Sequence, residues 1–158
     1  VSLRAAVVVA SNRAAAGVYE DTTGPVLVEF LAEVGFAVEP PVVVPDGEPV
    51  GEAIRSAADA GARVVLTTGG TGITPTDRTP EVTRALLDYD VPGIAEAIRA
   101  YGVAQGVPTA VLSRGVAGVV GTCLVVNLPG SRGGVKDAIA VLRPVLVHAA
   151  EQVVGSDH

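Results

Sequence analysis

The chain has 158 residues, 49% of them hydrophobic, with a formal net charge of −6, two Phe, three Tyr and no Trp. That length suits one folded domain, so residues 1–158 are read as a single unit. An acidic balance argues against a general binder of phosphate backbones, which needs a basic face, and the scarcity of aromatics leaves few platforms on which bases could stack. The single cysteine, Cys123, excludes an internal disulfide and a cysteine cluster for zinc or for iron and sulfur. Both histidines, His148 and His158, fall late in the chain, so Ser-His-Asp or Cys-His chemistry has little to draw on. Residues 5–10 are too short for a signal-peptide core, and Lys136, Asp137, Arg143, Pro144, His148 and Glu151 interrupt the apolar C-terminal stretch. The expectation is a cytoplasmic protein with no membrane span and no nucleic-acid partner.

Taken in order, residues 3–10 form a β-branched run that predicts a strand buried on both faces. Pro25 opens a helical stripe through Val26, Leu27, Phe30, Leu31 and Val34, closed by Gly35. Residues 36–44 read as a second strand, pushed to a sheet edge or a late start by Pro40 and Pro41. The turn at Asp46-Gly47-Glu48-Pro49 leads into a helix that ends at Gly61. Residues 63–68 form a buried strand that runs into Gly69-Gly70-Thr71-Gly72. Thr79-Pro80-Glu81 is a helix start with a hydroxyl cap, Pro in the first turn and a carboxylate, and that helix should run through Leu87. A second helix spans about 92–104. Residues 109–112 and 122–127 read as two short strands, and a long helix over about 134–154, kinked at Pro144, closes the chain. Strands alternating with helices imply an α/β domain, a three-layer α/β/α sandwich around a mostly parallel sheet, with ligands at the carboxyl ends of the strands.

Three sets of loops follow strand ends and carry unusual residues: 11–17, 46–48 with 69–77, and 129–134. The Thr67-Thr68-Gly69-Gly70-Thr71-Gly72 run offers hydroxyls and backbone amides with no competing positive charge, the equipment of an anion nest; a tight strand-to-helix turn is its plainer reading. Asp77 could cap the helix that follows or pair with Arg78, and Asp46 could cap its own helix. Both also lie on the expected ligand edge, where two carboxylates facing phosphates suit Mg²⁺. Gly130-Ser131-Arg132-Gly133-Gly134-Val135-Lys136-Asp137 mimics a P-loop, but the spacing and the hydroxyl after the lysine are wrong, so it is a Gly-rich loop feeding a helix. The chain carries no G-x-S-x-G elbow. Cys123, within TCLVV, reads as a core thiol, and His148 as packing or surface.

Ser11-Asn12-Arg13 with Gly17-Val18-Tyr19 and Asp21, Pro45-Asp46, Leu66-Thr67-Thr68-Gly69-Gly70-Thr71-Gly72, Asp77-Arg78-Thr79-Pro80-Glu81, Pro92-Gly93, Leu112-Ser113-Arg114 and Asn127-Leu128-Pro129-Gly130-Ser131 occur in this order. The succession resembles the molybdopterin-binding proteins of molybdenum cofactor biosynthesis, the MogA and MoaB type, similar also to the G domain of gephyrin. The resemblance implies a homotrimer that uses Mg²⁺ and ATP to attach AMP to the terminal phosphate of molybdopterin, releasing pyrophosphate and supplying a downstream molybdenum-insertion protein. It puts the essential acidic residues, which would also hold the metal, at Asp46 and Asp77. Phosphate and substrate contacts fall on Ser11, Thr68, Gly69, Gly70, Thr71, Gly72, Ser113, Arg114, Pro129, Gly130 and Ser131. Relatives often carry Ser-Asp where this chain has Ser11-Asn12, and residues 112–118 are similar to MoaB-type members. The alternative reading is therefore a molybdopterin-binding or assembly protein without turnover, and a third is a general nucleotide-binding module.

Overall fold

A computed structural model of the chain describes residues 3–155, so His158 lies outside the described residues. The strands are β1 (Arg4–Ala10), β2 (Ala37–Val38), β3 (Val42–Val44), β4 (Val64–Thr68), β5 (Tyr89–Asp90), β6 (Ala117–Val120) and β7 (Cys123–Leu128). The helices are α1 (Asn12–Ala15), α2 (Thr23–Glu33), α3 (Glu48–Asp59), α4 (Thr79–Arg84), α5 (Pro92–Ala104), α6 (Arg132–Leu142) and α7 (Leu146–Val153). They build one sheet in the order β2-β1-β4-β7-β6-β5, with β3 pairing β1 on the same side as β2. Only β6 runs against the others, pairing antiparallel with both β5 and β7.

The β-branched strands separate two cores by simple alternation. Val7 and Val9 of β1, Leu66 of β4, and Leu124, Val126 and Leu128 of β7 pack with Leu27, Phe30 and Leu31 of α2 and with Val135, Ala138 and Leu142 of α6. Their neighbours Val8, Val65, Cys123 and Val125 point the other way, against Val50 and Ile54 of α3 and Val82 of α4. Successive strand residues face opposite sides, so a continuous apolar run feeds both layers, and the expected three-layer sandwich follows. Cys123 belongs to the second core, and burial pushes its thiol up to about 12, which suits packing rather than reactivity.

Several local expectations are corrected. The single strand expected over 36–44 is two short pieces, because Pro40 and Pro41 offer no amide to β1. Each piece still pairs in parallel with β1, Arg4 opposite Ala37 and Val8 opposite Val42. The strand expected over 109–112 is a 3-10 helix, Pro108–Leu112. Pro108 fixes the first turn, Ala110 N donates to Val107 O and Ser113 N to Ala110 O, and Val111 stays 65% exposed with no strand beside it. The partner strand is instead β6, whose Gly118 masks its alternation; it joins β7 through the two-residue turn Gly121-Thr122. The long C-terminal helix is broken into α6 and α7, because Pro144 lacks an amide and its ring crowds the carbonyl four residues back. The helix α4 stops at Arg84 rather than Leu87, and Thr79 is its first residue rather than its cap.

Candidate functional site

The carboxyl ends of β1, β3, β4 and β7 lie together, and each hands the chain to a loop that turns into a helix. Here the sheet supplies the ligand edge expected of an open parallel fold. β4 ends in Thr68, whose hydroxyl donates to Pro129 O at 2.7 Å, while Gly69 N donates to Leu128 O at 3.2 Å. These bonds bind the 69–72 loop to the 129–131 loop. Gly69 (φ +92) and Gly70 (φ +68) then turn the chain through the left-handed region. Thr79 closes the turn from the far side: its hydroxyl donates to Gly69 O at 3.0 Å and its amide to Gly70 O at 3.1 Å. The amides of Gly70, Thr71 and Gly72 have no acceptor among the described residues. They are the donors that an anion nest requires, whereas Gly69's amide belongs to the sheet.

Two cavities flank this loop. The larger, about 430 Å³, is lined by Gly70, Thr71, Gly72, Asp77 and Ser113, and beyond them by residues of α5, the 3-10 helix and α6. The smaller, about 210 Å³, is lined by Ser11, Tyr19, Asp21, Thr68 and Gly69. Gly130 and Ser131 form part of both walls. Ser131 also caps α6, accepting from Gly134 N at 3.0 Å, so the positive end of that helix opens where the cavities adjoin. Ser11 caps α1 in the same way, accepting from Ala14 N at 3.2 Å.

The two carboxylates stand against the loop glycines. A Cβ built on Gly70 would lie 3.0 Å from Asp46 Oδ1, and one on Gly72 2.8 Å from Asp77 Oδ2. Neither plainer reading of the sequence describes them. Gly47, not Asp46, occupies the cap position of α3, and α4 has no side-chain cap. Asp77 accepts from Thr74 N at 3.0 Å and closes its own turn. Among the described residues the ion pairs are Arg114–Glu81 and Arg143–Glu33, so Arg78 does not pair with Asp77. Asp46 Oδ1 is buried with no hydrogen-bond partner, an orphaned acceptor that fits a hard cation. Burial, reinforced by the charge of Asp77, holds the Asp46 carboxyl above its ordinary value, while its hydrogen bond with Asn12 acts the other way. That bond comes from the Asn12 backbone; separately, Asp46 N donates to Asn12 Oδ1 at 2.9 Å, so position 12 orients the carboxylate-bearing turn without adding a charge.

This shift has a sign for stability. Between the ordinary carboxylate value and the raised native one, the folded protein holds a proton that the unfolded chain has released, so stability falls as pH rises through that window. At neutral pH the charged Asp46 therefore costs stability. Asp46→Asn is expected to raise the melting temperature of the metal-free protein at pH 7, measured by circular dichroism, and to abolish any further rise on adding Mg²⁺.

Arg114 takes a supporting position. Its amide donates to Thr71 O at 2.8 Å, Nε to Gly72 O at 2.8 Å and one terminal nitrogen to Asp77 O at 2.9 Å, while the guanidinium pairs with Glu81 at 2.5 Å. This pairing holds the Glu81 carboxyl below its usual range. Arg114 lies outside the larger cavity's lining and braces the loops that carry Gly72 and Asp77. Ser113 does line that cavity, its hydroxyl 3.5 Å from that of Thr71. Beneath the loops, buried Asn127 accepts from Val116 N at 3.1 Å and donates to the hydroxyls of Thr67 and Thr83 at 3.0 and 3.1 Å. That satisfied polar network joins β4, β7 and α4 under the site. The larger cavity is also lined by Arg99 of α5 and Asp137 of α6, which no motif marks.

A mostly parallel α/β sheet with unpaired loop amides and a carboxylate pair at its carboxyl edge has the donor set of an anion-binding site. A family model described as a probable molybdopterin binding domain matches residues 6–148, and the chain belongs to that family. It is 38% identical over 98% of its length to a molybdenum cofactor biosynthesis bifunctional protein of Synechococcus elongatus, of which it covers 48%. The chain thus spans about half the length of that relative. It is also 38% identical, over 87% of its length and 71% of the other's, to a molybdopterin adenylyltransferase of Haemophilus influenzae. The solved structure of the molybdopterin biosynthesis Mog protein from Mycobacterium ulcerans superposes with a TM-score of 0.93 at 50% identity, covering 99% of both chains.

Proposed function

We propose that the protein acts in molybdenum cofactor biosynthesis and transfers AMP from ATP to the terminal phosphate of molybdopterin, releasing pyrophosphate. The observation that carries this reading is the carboxylate pair beside unpaired loop amides: Asp46, with an orphaned buried oxygen, and Asp77 flank Gly70 and Gly72. The nucleophile is the substrate's own phosphate oxygen, which forms a bond to the α-phosphorus of ATP while the bond to pyrophosphate breaks. No protein nucleophile is required, so the protein's task is to align two anions and screen their charge.

The residues divide that work as follows. Gly70, Thr71 and Gly72 amides and the N-terminus of α6 receive phosphate oxygens, with the hydroxyls of Thr71 and Ser131 beside them. Asp46 and Asp77 would hold Mg²⁺, which supplies neutralisation of the phosphate charge when bound. Asn12 keeps Asp46 in place through the backbone. Arg114 fixes the 71–77 stretch, so the donors are oriented before substrate arrives. The larger cavity suits molybdopterin and the smaller the nucleotide, and their common wall at Gly130-Ser131 brings the reacting phosphates together.

Incubation of the protein with molybdopterin, ATP and Mg²⁺ tests this directly: adenylylated molybdopterin should accumulate with an equal amount of pyrophosphate. Binding of molybdopterin without product would replace the proposal with the second reading, a non-catalytic binding or assembly protein. The observation favouring that reading is Asn12, a neutral group where a charged one often stands. The family resemblance further leads us to propose a homotrimer. Light scattering at micromolar concentration should give three times the chain mass; a monomer mass would count against it.

A further inference from the structure

The larger cavity contains two opposite charges that the proposed transfer does not use. Asp137 lies one helical turn beyond Gly134 on α6, and Arg99 one turn before Gly102 on α5; all four residues line the same cavity. The two are not paired with each other, since neither takes part in an ion pair among the described residues. Arg99 is nevertheless fixed: one terminal nitrogen donates to Gly115 O at 2.9 Å and to Ser113 O at 3.4 Å. The rest of its guanidinium has no hydrogen-bond partner among the described residues, and Arg99 lines both this cavity and a neighbouring one of about 290 Å³ that Arg114 and Gly115 also line. A fixed cation and an unpaired carboxylate in one cavity call for a ligand with a donor edge and an acceptor edge. A flat 2-amino-4-oxopyrimidine ring has both: its ring N–H and amino N–H match a carboxylate bidentately, and its oxo oxygen accepts from a guanidinium.

We propose that Asp137 and Arg99 are the specificity-determining residues of the larger cavity, Asp137 reading the 2-amino and ring N–H edge of a pterin and Arg99 its 4-oxo side. This rests on the proposed assignment of the larger cavity to the pterin. Adenine lacks the edge, so the same pair turns the nucleobase of ATP away from this cavity and leaves it to the smaller one.

The test uses the full chain and fluorescence or calorimetric titration with three probes: neopterin monophosphate, its 2-oxo (lumazine) counterpart, and guanosine monophosphate. Wild type should bind the pterin about tenfold or more tighter than the lumazine, because a 2-oxo group would face the Asp137 carboxylate. Asp137→Asn should remove or reverse this preference, since its amide can donate to the 2-oxo group, and the gain in lumazine binding itself reports a folded cavity. Arg99→Gln should weaken pterin and lumazine alike, because both carry the 4-oxo group. An unchanged preference in Asp137→Asn, with wild type still binding the pterin, overturns the assignment of Asp137 and leaves the proposed function standing; unchanged binding in Arg99→Gln does the same for Arg99. Guanosine monophosphate bound in place of the pterin, with the same dependence on Asp137, supports the recognition of the edge and overturns the pterin as its source. Wild type that binds none of the three overturns both the inference and the assignment of the cavity on which it rests.

Discussion

Asp77→Asn is expected to fold as the wild type does, to bind molybdopterin with unchanged affinity, and to lose adenylylation by about 10²–10³-fold, the usual loss when one preorganised electrostatic group is removed. The substitution is nearly isosteric, and its amide oxygen can still accept from Thr74 N, so the turn before α4 persists. What disappears is the negative charge beside Gly72 and opposite Asp46. The effect should fall on kcat rather than on the KM for the pterin, because the charge matters only where phosphate anions approach each other. Single-turnover product formation, with pterin binding measured separately, checks this. Equal losses in binding and turnover would mean that Asp77 holds the pterin instead.

The second large effect concerns Gly69→Ala. Gly69 has φ +92, a conformation that a Cβ strains by about 1–3 kcal/mol. A Cβ there would also press into the carbonyl oxygen of Ala10 at the end of β1, a backbone atom that cannot swing aside. Overpacking of this kind costs a further ~1–3 kcal/mol, so the variant should lose several kcal/mol of a total stability that is itself of order 5–15 kcal/mol. Urea unfolding measures the loss. Gly133→Ala is the matched control: it lies in the first turn of α6, and a Cβ there meets nothing. Gly69→Ala with a melting curve like that of the control would show that the 69–72 turn can re-form elsewhere.

The parts of the fold legible in the sequence were those where one local rule dominates. β1, β4 and β7 are runs of β-branched residues buried on both faces, and α5 begins at Pro92 and ends close to its expected limit. Elements went unread where tertiary context decides. β6 contains a glycine between small residues, and it is a strand because β7 supplies its ladder and Leu87 and Tyr89 press close to Gly118. The 3-10 helix has strand-like composition but no neighbour to pair with.

The site followed the same division. Motif residues such as Asp46, Asp77 and the 69–72 and 129–131 loops do meet at the sheet edge. The sequence could not show that the hydroxyl of Thr68 and the guanidinium of Arg114 are engaged by backbone carbonyls, since those partners are set by how loops cross in space. Asp137 had one usable signal, a carboxylate on the same helical face as Gly134 one turn away, but helix face alone does not reveal a cavity.

Under the proposed transfer, the wall that the two cavities share at Gly130-Ser131 would have a further effect. Two separate molecules entering adjacent sites would become one ligand anchored at both ends, and each end would then hold the other at a high effective concentration. The adduct would leave far more slowly than either reactant, shielded from hydrolysis while it stays. Turnover would then be governed by departure of the product, and a recipient that takes it directly from the protein would set the pace of the whole sequence.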